Sequence, residues 1–107
     1  MNQSVKVMNL DYELRTVPAS GAAVAVAAAV VPLAASVHAQ ATHVRLQVQE
    51  ESVRMTLDGV DPAPGTNVGE LLVVGDVRVL PRPDALACKL IREGASSGVV
   101  YVTGLNN

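Results

Sequence analysis

The most regular alternation in the chain runs from His43 to Gly59, HVRLQVQEESVRMTLDG. Val44, Leu46 and Val48 share one parity, and Arg45, Gln47 and Gln49 the other. Beyond Glu50 and Glu51 the pattern resumes, with Val53, Met55 and Leu57 on the apolar side and Arg54, Thr56 and Asp58 on the polar side. Side chains of a strand point alternately to its two faces, so this spacing predicts two strands, each with one dry and one wet face. Their closeness in sequence predicts a hairpin with the glutamates at its turn, although a Glu pair is an unusual turn.

A second alternating run lies in AAVAVAAAVVPLAASVHAQ, residues 22–40. Val24, Val26, Ala28 and Val30 alternate with Ala25, Ala27 and Ala29, between Gly21 and Pro32. This predicts one strand with its larger residues facing the core. The same stretch has the apolar middle of an export signal, with a cut after Val37-His38-Ala39. Such a signal wants a basic start, whereas here Lys6 and Arg15 are offset by Asp11 and Glu13. The run also falls short of the roughly 20 strongly apolar residues that span a membrane. The strand reading is preferred because it accounts for the spacing of two.

The remaining segments are shorter. Residues 1–20 are mixed, with apolar anchors at Val5, Val7, Leu10, Tyr12 and Leu14; they read as an N-terminal arm or an edge strand. Residues 58–69, DGVDPAPGTNVG, form a turn-rich loop, and ELLVVGDVRVL (70–80) two short strands around Gly75-Asp76. The Pro81-Arg82-Pro83-Asp84 stretch cannot continue a sheet ladder. Residues 85–93, ALACKLIRE, allow a helix capped by Asp84 and ended by Gly94, or a strand through Leu86, Cys88 and Leu90. The surrounding strands favour the second. Residues 98–105, GVVYVTGL, give the last strand, with Tyr101 able to hold its hydroxyl at a rim. Six or seven short strands between turn signals predict an all-β fold, a single small antiparallel β-sandwich or jelly-roll-like barrel. Its division would be an arm or edge strand at 1–20 and a sandwich domain at 21–107.

Composition narrows the function classes. Of the 107 residues half are apolar, yet Phe and Trp are absent, so the core is built from Val, Leu, Ala, Ile and Met. The net charge of −2 and the lack of a basic run argue against a nucleic-acid partner, since phosphate neutralisation needs clustered cations. Cys88 is the one cysteine, so there is no internal disulfide, and its apolar setting reads as core.

Candidate chemistry is sparse. A nucleophile needs a base in reach and a base needs an orienting partner. His38 and His43 read as two solvated histidines. Asp58 and Asp61 could hold Ca²⁺ with loop carbonyls, but Asx turns account for both more simply. Glu50, Glu51 and Glu70 have the contexts of a turn and a strand edge rather than of paired catalytic carboxylates. No phosphate-binding or nucleophile-elbow motif is present. No catalytic, cofactor-binding or metal-ligating residue is assigned, and no cofactor or enzymatic activity is expected. Arg45, Arg54, Arg78, Lys89 and Arg92 are expected to face outward as a solvated surface, or as a docking surface for an acidic partner. A small aliphatic domain without a disulfide also gains stability by assembly.

The segment SVRMTLDGVDPAPGTNVGELLVVGDVRVL, with IREG and SGVVYVT after it and the Ala/Val run before it, resembles small structural proteins of tailed bacteriophages. The likeness spans roughly residues 22–105. It implies a non-catalytic virion β-sandwich, a decoration or cement protein made in the host cytoplasm without export. Its partners would be the major capsid protein and copies of itself, in an oligomer on the assembly, with no membrane or nucleic acid involved. A neck or tail component is the alternative within the virion; a secreted carbohydrate-binding or adhesion module is the alternative outside it. The sequence departs from the resemblance in lacking aromatic residues in its last two strands apart from Tyr101.

Overall fold

A computed structural model describes residues 4–6 and 13–107. Val7, Leu10 and Tyr12, named above as anchors, lie outside the described residues. The strands are β1 (Ser4–Lys6), β2 (Glu13–Thr16), β3 (Ala22–Val26), β4 (Val31–Pro32), β5 (His43–Gln49), β6 (Val53–Thr56), β7 (Glu70–Leu72), β8 (Val77–Pro81), β9 (Lys89–Arg92) and β10 (Gly98–Asn106). One short helix, α1 (Arg82–Ala87), and one 3₁₀ turn (Ala34–Ser36) join them.

The strands form two antiparallel sheets. In sheet A, β10 is the central element: β5 pairs along most of one side and β8 lies beyond β5. On its other side β3 takes the first half and β2 the last two residues, with β1 outside β2. Sheet B has the order β4-β9-β6-β7. The eight strands from β3 to β10 therefore read β3-β10-β5-β8 in one sheet and β4-β9-β6-β7 in the other. This is jelly-roll connectivity, in which successive strands mostly change sheets and long pairings join the ends of the chain. The all-β expectation holds at this level.

The core lies between the sheets. Val24, Val26, Val44, Leu46, Val48, Val100 and Val102 come from sheet A; Val53, Met55, Leu72 and Leu90 come from sheet B. Leu80 of β8, with Leu33, Ala85 and Cys88, completes the cluster. Aliphatic chains of moderate size fill the gap between two sheets without aromatics. Helix α1 begins after Pro81 with Pro83 in its first turn, packs against β5 and β8, and buries Ala85. Its Arg82 guanidinium donates to the carbonyls of His38 (2.9 Å) and Ala41 (2.8 Å), tying the β4–β5 connection to the base of the sandwich.

Three local expectations are corrected. The two strands of His43–Gly59 do not pair with each other. β5 pairs with β10 and β8, and β6 with β7 and β9, so Glu50–Ser52 carries the chain from sheet A to sheet B. Glu50 adopts φ +72° in that crossing. Alternation is the same whether two strands share a sheet or face each other, so it could not separate the cases. The Ala/Val run is likewise two strands: β3 ends at Val26, and β4 joins the other sheet. Ala28 is exposed and Val30 half-buried, while the Ala27 carbonyl accepts the Arg92 N–H at 3.1 Å to turn the corner. Lastly, residues 85–93 are not one strand. Helix α1 ends at Ala87 and β9 begins at Lys89, with the change of structure at Cys88.

Candidate functional site: one sealed and one open sheet face

The outward faces of the two sheets differ. On sheet B, Leu71, Arg54 and Ile91 share one row by register, and Thr56 and Lys89 the next. Over this face folds the connection 57–69, a strap that leaves β6, runs back along the sheet and returns to β7. It is tied down by polar contacts. Arg54 donates from Nε to Glu93 Oε1 at 2.8 Å and from Nη2 to Glu93 Oε2 at 3.0 Å, a two-pronged ion pair between β6 and the end of β9. Each partner also takes one strap backbone group: Arg54 Nη1 donates to the Gly69 carbonyl, and the Gly65 N–H donates to Glu93 Oε2, both at 3.0 Å. Thr56 Oγ1 donates to the Val60 carbonyl, and Lys89 Nζ pairs with Asp61 at 3.0 Å.

The expectation that Arg54 and Thr56 are solvated is therefore corrected: both are buried beneath the strap. The Arg54 hydrogen bonds, with its charge, hold the Glu93 carboxyl below the ordinary carboxylate range, and the Gly65 amide adds to this; burial opposes it. The guanidinium is raised by the same pair. Gly69 sits at φ +106°, and a Cβ there would stand 2.9 Å from Arg54 Cγ and 3.0 Å from the Met55 carbonyl, so only glycine fits.

Among the described residues, nothing covers the centre of the outward face of sheet A in this way. Register places Ala23, Tyr101, Gln47 and Val77 in one row across β3, β10, β5 and β8. Ala25, Val99 and Gln49 form the row above; Thr103, Arg45 and Val79 the row below. Tyr101 is 39% exposed and stands at the middle of the face rather than at a rim. Its ring lies over Gly21, where a Cβ would collide with the hydroxyl. Small residues at 21, 23 and 25 thus make the shelf on which the Tyr101 ring rests. Arg45 is the only formally charged side chain on the outward positions of β3, β5, β8 and β10. The face continues into the β7–β8 corner, where Val73, Val74 and Val77 are exposed at 47%, 53% and 44%. The turn there is fixed by the Val73 N–H bond to Asp76 Oδ2 (2.9 Å) and by Gly75 N–H to the Val48 carbonyl (2.9 Å). At the same edge Arg78 of sheet A bridges to Glu70 of sheet B at 2.6 Å.

The other sequence candidates have local roles. His38 Nδ1 accepts the Gln40 N–H at 3.0 Å, and His43 Nδ1 lies 3.1 Å from Thr42 Oγ1. Asp58 caps the Val60 N–H in an Asx turn, whereas Asp61 pairs with Lys89 instead. Cys88 belongs to the core, and burial pushes its thiol up to about 12. Among the described residues no three of His, Cys, Asp and Glu come together as metal ligands. A shallow open cleft of about 370 Å³ lies beside the root of the strap, lined by Met55, Thr56, Leu57, Asp58, Gly69 and Glu70. Of the five cations expected as one surface, Arg54, Arg78 and Lys89 are each committed to a carboxylate. The open face itself was not legible as a site, because nothing in the sequence says which polar face the strap will cover. Compared with known proteins, the chain matches no family model, no curated protein and no solved structure.

Proposed function

We propose that this chain is a non-catalytic structural protein that attaches to the surface of a bacteriophage capsid and stabilises it. The observation that carries the reading is the open face of sheet A. It is nearly uncharged, centred on Tyr101 and continuous with the apolar β7–β8 corner. Interfaces concentrate Tyr and Arg and exclude Lys, Glu and Asp at their centres. A domain of this size reaches the roughly 800 Å² per partner of a standard interface by attachment at several points, to capsid subunits and neighbouring copies. The bacteriophage assignment rests on the resemblance of residues 22–105 and makes the virion the site of action.

The test is co-sedimentation of the purified chain with capsid shells that lack it. Saturable binding in hundreds of copies per shell is expected, and Tyr101→Ala and Val77→Asp should abolish it while leaving the melting transition intact. A chain that stays in solution at every concentration overturns the proposal. Six or twelve copies per particle would move it to the neck or tail, and saccharide binding that depends on Tyr101 would favour the sugar-binding module.

A further inference from the structure

The strap over sheet B differs from the rest of the molecule in what holds it. Its Val60 and Val68 are 52% and 38% exposed. Leu57, at its root, is partly buried and packs on the core; Pro62 is buried but outside the core cluster. Beyond these its attachment is polar: two backbone groups on the Arg54–Glu93 pair, one on Thr56, and the exposed Lys89–Asp61 bridge. Exposed bridges of that kind contribute little. Every other connection in the sandwich is far shorter or is built around α1 or the 3₁₀ turn. Segments with few buried apolar contacts open at lower free energy than the core.

We infer that residues 57–69 open as a unit from the outer face of sheet B while the sandwich stays folded, with the Arg54–Glu93 pair as the fastening. Closed, the strap hides Arg54. Open, it bares Arg54 and Ile91 beside Leu71, which is already exposed, as a second sheet face of apolar and cationic character. Glu93 is the control point because it belongs to β9's end, not to the strap, and one of its oxygens holds both Arg54 and Gly65. The inference is independent of what binds the open face of sheet A.

Hydrogen–deuterium exchange on the full chain tests it. In the wild type, strap amides that exchange faster than those of β5 and β10 are expected. Glu93→Gln should speed exchange at Gly65 and Val68 by about 10-fold or more, since a charge-assisted bond is replaced by a neutral one, with β5 and β10 unchanged. Lys89→Ala should change the strap by no more than about 3-fold. Strap amides that exchange only with the core in the wild type would overturn the inference without any variant, and so would a Glu93→Gln chain whose strap is as protected as before.

Discussion

Gly98, the first residue of β10, passes directly beneath Glu51 in the crossing between sheets: a Cβ on Gly98 would stand 2.7 Å from the Glu51 carbonyl oxygen and 3.2 Å from Val53 Cγ1. The obstacle is backbone, which has no rotamer to move aside. Gly98→Ala should therefore cost about 1–3 kcal/mol, as overpacking does in tight interiors, read as a lower midpoint in urea with an unchanged slope. A midpoint equal to wild type would mean the crossing is looser than described.

Gly69 and Gly75 both have positive φ, +106° and +95°, but only Gly69 is crowded; around Gly75 there is open space. Alanine at 75 should cost about 1 kcal/mol, the backbone term alone. Alanine at 69 should cost more, about 2–4 kcal/mol, because it adds a collision with Arg54 and the Met55 carbonyl. Thermal melts of the two variants give the order directly.

Glu93 sets an acid dependence. Its folded pKa is lowered by Arg54 and Gly65, so its contribution is present above the ordinary carboxylate range and is lost as pH falls through the folded value. Wild type should lose stability on acidification from about pH 5 to pH 3. Glu93→Gln should be less stable at neutral pH and decline less steeply over that window. Parallel curves for the two proteins would show that another carboxylate governs the acid limb.

Cys88 is fully buried in the core with its thiol raised to about 12. A thiol reagent at pH 8 should leave the folded chain unlabelled and label it once unfolded, because the thiolate is the reacting species. Cys88→Ala should cost about 1–2 kcal/mol through the void it leaves, and Cys88→Ser at least as much, through a buried hydroxyl. Rapid native labelling would place Cys88 outside the core.

Gly21 gives a separate handle on the open face. The atom that its added Cβ would meet is the Tyr101 hydroxyl, the far end of a side chain that can swing away. Gly21→Ala should shift the melting transition by less than the equivalent of about 1 kcal/mol while displacing Tyr101. Under the proposed function it should weaken shell binding; unchanged binding would count against a role for the Tyr101 position.

Much of the fold was written in local patterns. The inward residues of β5 and β6, the strands either side of Gly75-Asp76, and β10 all follow from side-chain parity and turn chemistry, which depend on neighbours in sequence. These determine that the protein is all-β and which side chains of those strands point into the core. The ladder ends one residue later than the Pro81–Asp84 stretch predicts, since Pro81 still pairs with His43 at the end of β8. What the tertiary structure alone decided is partnership. Parity is blind to whether Val48 and Val53 lie in one sheet or across the core from each other. Alanines carry too little apolar area to mark where β3 stops and the corner to β4 begins. The Arg54–Glu93 pair joins residues 39 apart in sequence, and it is what lets Arg54 be buried at a polar strand position. The open face of sheet A exists as a surface because the strap was folded over the other sheet, a choice fixed by that distant ion pair and by the one glycine, Gly69, small enough to let the chain pass over it.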